Sequence, residues 1–320
     1  MYSPEFVKNF KVERPLTNEE RSQQLKQKER LAEFDEAIPH YELAVIQLNN
    51  TFVELTDRNY SVRGIGSAIT GFFVIILSWF IAAIWMETIN EWGDEFHSGR
   101  ILTVSFMSIF GGLVVCALLW FLQRETFSYT HFPLRLNRKN RMVYVWRRDG
   151  TVLSAPWDKL FFQVRSYNDW GGKTYDILGH MLENDGNTVK ETFAFSSYSS
   201  SDAKDLREHF EYFRRYMENG PEQPHRMLKI CLPIATRRET WWEGFMRLLL
   251  NMNGWPLLQI ILSPFYFICS LGRWVAMRTS RIPQWPKWVE QECTIDSGDP
   301  YRRDSGWEAA KESAGKSAAA

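Results

Sequence analysis

Two uncharged apolar runs, Gly64 to Met86 and Ile101 to Gln123, limit what this chain can fold into more than any other stretch. Each is about 23 residues long, so as a helix with about 1.5 Å rise per residue it can cross a hydrocarbon layer about 30 Å thick. The runs predict a transmembrane hairpin over 64–123 with an outer loop at 87–100. That loop carries Glu87, Glu91, Asp94 and Glu95 against Arg100, whereas the outer flanks carry Arg58 and Arg63 on one side and Arg124, Arg135, Arg138, Lys139 and Arg141 on the other. Lys and Arg are retained on the cytoplasmic side, so both soluble parts are expected in the cytoplasm, as parts of a multi-pass membrane protein. The first run begins too late for a cleavable signal peptide and is expected to remain.

Within the runs, Ser67, Gly71, Ser78 and Ala82 form one small-residue stripe, and Ser105, Ser108, Gly112 and Cys116 form another. Small faces let helices approach closely, so these residues are expected to pack the hairpin on itself, with an oligomeric scaffold as the alternative. No Asp, Glu, Lys, Arg or His lies inside either run, which argues against a transporter.

At the N-terminus, Thr17 and Glu20 have capping-box spacing, and a charged, mostly solvated helix is expected to about Ala37, stopped by Pro39. Residues 1–63 are thus read as a helical region. Tyr41 to Leu55 fits either a short helix or a strand.

After Phe132 the period changes to two. Arg141 to Arg148, the turn Asp149-Gly150 and Thr151 to Ala155 read as a β-hairpin. Leu160 to Val164, Tyr175 to Leu182, the turn Asp185-Gly186 and Val189 to Phe195 add further strands. Ala203, Leu206, Phe210, Phe213 and Met217 form the apolar stripe of a helix capped by Ser200 or Ser201 and stopped by Gly220-Pro221. Its opposite face, with Lys204, Arg207, Glu208, Glu211, Arg214 and Arg215, reads as solvated. The expected class is therefore an α+β integral membrane protein, a transmembrane hairpin plus an antiparallel β-domain over 130–220 closed by an amphipathic helix.

The run Leu248 to Gly272 is long enough to span but is broken by Asn251, Asn253, Gly254, Pro256 and Pro264, with Arg237, Arg238 and Arg247 before it and Arg273, Arg278 and Arg281 after. With cations on both flanks, 237–290 is expected to be interfacial or re-entrant rather than a third span. Residues 305–320 are expected to be disordered.

A formal net charge of zero argues against a nucleic-acid partner. The four Cys and six His show neither disulfide nor metal-ligand spacing, so no metal and no cofactor are expected. Gly172-Lys173-Thr174 has Tyr167 where a phosphate loop needs glycine, and Gly64-x-Gly66 precedes an apolar run rather than following a strand. The cluster Arg135, Arg138, Lys139, Arg141, Arg147 and Arg148 either enforces topology or rests against anionic lipid headgroups, at about 1 kcal/mol per cation.

Hairpin, β-domain and closing helix are together similar in layout to bacterial membrane proteins with a pleckstrin-homology-like domain. Phe132-Pro133-Leu-Arg-Leu-Asn137-Arg138 through Val145, with Gly150, Pro156-Trp157-Asp158 and the late Pro283-Gln-Trp-Pro286, resembles an uncharacterised proteobacterial membrane family often encoded near type VI secretion effectors. This resemblance covers residues 60–293 and brings no agreed catalytic or binding residues. It implies a non-enzymatic, membrane-anchored module that binds a protein, such as a secreted effector, as an immunity protein or adaptor. The alternative is a membrane-linked enzyme acting on lipid or envelope intermediates, with Asp158, Asp169 or His180 converging in a pocket; a shallow sheet-edge groove would instead favour binding.

Overall fold

A computed structural model describes residues 10–31, 43–90, 98–169, 172–252 and 255–305. In chain order its elements are β1 (Arg14–Pro15), α1 (Asn18–Ser22), β2 (Gln24–Leu25), β3 (Val45–Leu48), β4 (Phe52–Leu55), α2 (Ile65–Asn90), α3 (Ser98–Glu125), β5 (Leu134–Asn137), β6 (Met142–Trp146) and β7 (Val152–Pro156). There follow β8 (Leu160–Asp169), β9 (Gly172–Leu182), β10 (Thr188–Ala194), α4 (Ala203–Asn219), α5 (Glu222–Met227), α6 (Trp241–Leu250), α7 (Pro256–Thr279) and α8 (Lys287–Glu292). The described residues form two compact units, a helical one within 61–130 and 239–281 and a β-rich one within 10–60, 131–238 and 282–305.

The β-rich unit has two five-stranded antiparallel sheets, ordered β1-β10-β9-β8-β2 and β3-β4-β5-β6-β7. Alternation along β4, β5 and β6 sends Val53, Leu55, Leu134, Leu136 and Val143 into a core shared with Phe162 and Ile177 of the other sheet and Leu206, Phe210 and Phe213 of α4. Trp157 sits at its centre, fully buried, stacked on Phe210 at 6.1 Å and tilted against Phe162 at 5.0 Å. Ring pairs of this kind add to what burial alone contributes. The opposite side of the second sheet is also covered, because Phe52 and Tyr144 pack on Val289 and Cys293 of the 282–305 segment.

The strands expected between 141 and 195 are present, but the helix expected from Thr17 does not continue past Ser22 among the described residues. The Thr17 and Glu20 capping box forms, yet α1 ends at Ser22. Leu25, read as part of a sparse solvated stripe, is instead buried in the core, and β2 pairs with β8 at Gln163 and Phe162. The remainder of the expected helix to Ala37, its stop at Pro39 and His40 lie outside the described residues. Tyr41 to Leu55 resolves, from Leu43 on, into the β3–β4 hairpin, whose turn is fixed by Asn49 Oδ1 accepting from the backbone N–H groups of Thr51 and Phe52 at 2.8 Å each. The β-domain therefore exceeds 130–220 at both ends, since β4 pairs with β5 in register Phe52 to Asn137.

The closing helix α4 is capped by Asp202 rather than a serine, its carboxylate accepting from Lys204 N at 2.8 Å, and ends at Gly220 with φ +99°. Its second face is solvated as expected at Lys204 but not in its later turns. Glu211, Arg214 and Arg215 are buried, with Glu211 accepting from Arg214 at 2.6 and 2.9 Å and from Arg215 at 2.7 Å. The i, i+3 and i, i+4 spacing lets one carboxylate serve both cations.

In the helical unit, α2, α3 and α7 are each long and apolar enough to cross a membrane. The third apolar run is divided differently from the expectation, with α6 ending before Asn251 and α7 running unbroken through Pro264. Pro256 stands at the first turn of α7, where its missing N–H has no intrahelical partner to lose. The loop acids Glu91, Asp94 and Glu95, His97 and the tail beyond Ser305 lie outside the described residues.

Candidate binding cleft

An open cleft of about 600 Å³ lies within the β-rich unit. Its apolar lining comes from Phe10, Val12, Phe132, Val145, Trp146 and Phe193, and its polar lining includes Asp57, Asn59, Arg147, Arg148, Asp149, Glu191 and Thr192. Each wall is fixed locally. Asp57 anchors one corner by accepting from the backbone N–H of Phe132 at 2.8 Å and of Asn59 at 3.1 Å. Asp149 shapes the β6–β7 turn by accepting from Thr151 N at 2.9 Å and Thr151 Oγ1 at 2.7 Å; those bonds to the hydroxyl and backbone hold its carboxyl below the usual range. Arg147, in that turn, pairs with Glu191 of β10 at 2.9 Å. Phe193 is seated because Gly179 has no side chain: a Cβ there would lie 2.4 Å from its ring.

One wall is a sheet edge. Among the described residues, β1 pairs only with the Thr188–Val189 end of β10, and no strand pairs with the outer edge of Glu191 to Ala194. An edge of that kind can accept an extended segment as an added strand.

The six basic residues expected at a membrane surface do not form one surface. Arg135 is buried, bonded to Glu54 at 3.0 Å and Glu290 at 3.3 Å, and lies over the rings of Phe52 and Trp285 at 4.2 and 4.8 Å. Burial favours the protonated form of Glu54, but Arg135, with hydrogen bonds from Trp285 and Gln47, outweighs it and holds the carboxyl below its usual range. Arg138 donates to Asn50, and Lys139 pairs with Asp296 at 2.6 Å. Arg141 forks onto Asp158 at 2.5 and 2.7 Å and also reaches Glu218. Arg147 and Arg148 alone of the six line the cleft.

Of the residues that resemble the family motif, Trp157 donates its indole N–H to Glu218 at 2.8 Å, and buried Asn137 donates to Glu292 O at 2.7 Å. Asn137 and Arg138 thus brace the C-terminal segment and the β3–β4 turn, while Pro133, Pro156 and Asp158 end or flank strands. These are framework positions, and none of them lines the cleft.

The residues named for an enzyme are dispersed. Asp158 is tied to Arg141, Asp169 ends β8, and His180 is buried with its ring nitrogens 2.7 Å from Gln163 Nε2 and 2.8 Å from Thr192 Oγ1. Burial lowers His180 to about 4, so the ring is neutral at pH 7. No group of three or more metal-ligating side chains occurs among the described residues.

The small-residue stripes are only partly at helix contacts. Ser67 N and Oγ both donate to Glu125 at 2.5 Å, and Ser108 accepts from Trp85 Nε1 at 2.7 Å. Gly71 and Gly112 have nothing within 4 Å of an added Cβ, and Ser78 and Ala82 are exposed, while Ser105 is half-buried. The close approach is at Gly111, where a Cβ would stand 2.8 Å from Ile81 Cδ1. The sequence stripe was displaced by one residue, because two adjacent glycines give no signal as to which faces the partner.

An α+β protein with two antiparallel sheets, an open cleft at a sheet edge and three helices that could cross a membrane is the class so defined. The chain belongs to DUF6708, a family of unknown function, whose model matches residues 112–297, more than half of the chain. No curated protein and no solved structure matches it.

Proposed function

We propose that this protein is a non-enzymatic, membrane-anchored module that binds an extended segment of another protein in the β10-edge cleft. The observation that supports this reading is the cleft itself, which combines an apolar lining, a rim of both charge signs and a strand edge on which the described residues place no partner. Main-chain bonds along such an edge would supply affinity, and the apolar pockets beside it would select side chains. In this reading α2 and α3 insert as a hairpin in a bacterial inner membrane, and the pleckstrin-homology-like β-unit faces the cytoplasm.

Site-specific photo-crosslinking tests it. A benzophenone side chain at Thr192 in the full-length protein is expected to capture a partner in cells, whereas one at Lys229, outside the cleft, is not. Equal capture at both positions, or none at Thr192, would sink the reading. The narrower role, an immunity protein or adaptor for a type VI secretion effector, comes from the sequence resemblance. Pull-down of an effector encoded beside the gene, with protection of cells making both, supports that role, and absence of both outcomes removes it.

A further inference from the structure

We infer that α7 does not cross the membrane: α6 and α7 lie across the foot of the α2–α3 hairpin as a pair of helices half-sunk in one leaflet. This rests on the reading that α2 and α3 are membrane-inserted.

Four contacts tie the ends of this pair to one level. Glu239, just before α6, accepts from Arg273 at 2.5 and 2.9 Å, and Arg273 in turn donates to Arg63 O at 2.9 Å. At the other end of α6, Asn251 Nδ2 donates to Ser61 O at 3.0 Å. Ser280, which caps the end of α7, accepts from Arg63 at 3.3 Å. The far end of α6 and the cap of α7 therefore meet the residues that immediately precede α2 directly, and the start of α6 reaches them through Arg273.

The start of α7 is bounded as well. Five residues reach at most about 17 Å, so Pro256 stays within that distance of Asn251. A crossing would require about 30 Å. A helix of 24 residues, about 36 Å long, that begins so near the foot of α2 and ends at it must run across the foot.

The packing of α7 on α2 agrees. A Cβ on Gly272 would lie 2.5 Å from Ala68 N, and one on Gly64 would lie 2.1 Å from Arg273 Cα, so the backbones touch at the first turn of α2. Beyond it the same face is uncovered: Gly71 has no neighbour within 4 Å of an added Cβ, and Phe72 and Ile75 are 56% and 70% exposed. A helix running alongside α2 would cover them.

Chain parity gives an independent argument. A single crossing by α7 would put residues after 281 and residues 131–238 on opposite sides. Yet Val289 and Cys293 share a core with Tyr144, and Leu48 bridges Arg303.

The occupant of the outward face is the bilayer. From Pro256 to Gly272 there is no charged residue, and Leu257, Ile261, Ile268 and Leu271 are exposed along one side of α7. Trp242 and Trp274 extend this surface, which is continuous in kind with the exposed apolar faces of α2 and α3 in the same unit. Such rings are favoured at the headgroup level.

Single cysteines at Glu87, Trp255 and Lys139, introduced in a Cys116→Ala background, test the inference with a membrane-impermeant maleimide; the other three native cysteines are buried. Glu87→Cys is expected to label from one side and Lys139→Cys from the other, with no label entering Trp255→Cys from the Glu87 side. Label at Trp255→Cys from the Glu87 side overturns the inference. Equal labelling of Glu87→Cys and Lys139→Cys from one side, with protein absent from sedimented membranes, would instead overturn membrane anchoring itself. As a second measurement, a fluorophore at Leu257 or Leu271 in phosphatidylethanolamine vesicles with some phosphatidylglycerol is expected to be quenched equally by shallow doxyl lipids. A spanning helix would separate the two positions by about 20 Å in depth and abolish that equality.

Discussion

In the helical unit the described buried charges gather at the start of α2, where Glu125 accepts from the backbone N–H groups of Gly64 and Ser67 at 2.5 Å and Arg273 joins Glu239 to Arg63. In the β-rich unit they are spread over both sheets and along α4, as Glu54 with Arg135, Asp176 with Arg58 and Arg165, and Glu211 with Arg214 and Arg215. The difference follows from what else holds each unit. Helices that satisfy their own backbone need polar groups only at their ends, and a carboxylate at a helix N-terminus answers both the free N–H groups and the dipole. Sheets joined from distant pieces of chain need directional contacts wherever one piece must find another.

Five substitutions or conditions would break or sharpen that contrast. Trp157→Ala should be the most damaging, costing the β-rich unit about 5 kcal/mol through the cavity and the lost hydrogen bond to Glu218, while leaving α2 and α3 packed. Limited proteolysis with a mass readout would show whether only the β-rich unit opens. Arg135→Ala should cost about 3–4 kcal/mol, because it strands the buried Glu54 carboxylate. Its signature would be early cleavage within 282–305, and Glu54→Gln added to Arg135→Met should restore part of the loss.

Acid should also act on the β-rich unit. His180 and His209 are lowered by burial to about 4 and about 3, so the unfolded chain takes up their protons near its own value of about 6.5 while the folded chain does not. Stability from these rings is complete above that value and falls as pH drops through the folded values, by about 2–3 kcal/mol per ring. A thermal-melt series from pH 7 to pH 4 checks the slope, which His180→Gln should flatten; a rise in stability on acidification would contradict it. Glu125→Ala should cost the helical unit about 1–2 kcal/mol by uncapping α2, read as a lower unfolding temperature in detergent. The smallest effect belongs to Gly111→Ala, under about 1 kcal/mol because the far end of Ile81 can shift, with Gly112→Ala silent. If Gly112→Ala is the worse of the two, the assignment of the contact to Gly111 is wrong.

Where the chain pairs with its near neighbours, the sequence was readable. Asp149-Gly150 and Asp185-Gly186 marked the turns, and alternation marked the strands on either side. Leu25 and Phe52 to Leu55 could not be placed, because their partners β8 and β5 lie beyond the α2–α3 hairpin, and Val45 to Leu48, which pairs with its neighbour β4, has no Asn-Gly or Asp-Gly turn to mark it. The buried face of α4 misled for a related reason: Glu211, Arg214 and Arg215 look solvated until one carboxylate is seen to neutralise two cations. The cleft was the least visible feature, since its walls come from five separated stretches and hold no motif. The basic cluster was visible, but the acids that consume it, Glu54, Glu290 and Asp296, are distant in sequence.

The register of β4 against β5 joins Phe52–Leu55 to Leu134–Asn137 across the entire α2–α3 hairpin. With that hairpin inserted, the two strands can meet only if both runs have crossed. A chain in which one run fails to insert leaves half of the sheet on the wrong side, with Val53 and Leu55 unpaired and open to proteases. If α2 and α3 are membrane helices, closing this sheet would require that both cross or that neither does, so that one contact between strands reports on two helices at once.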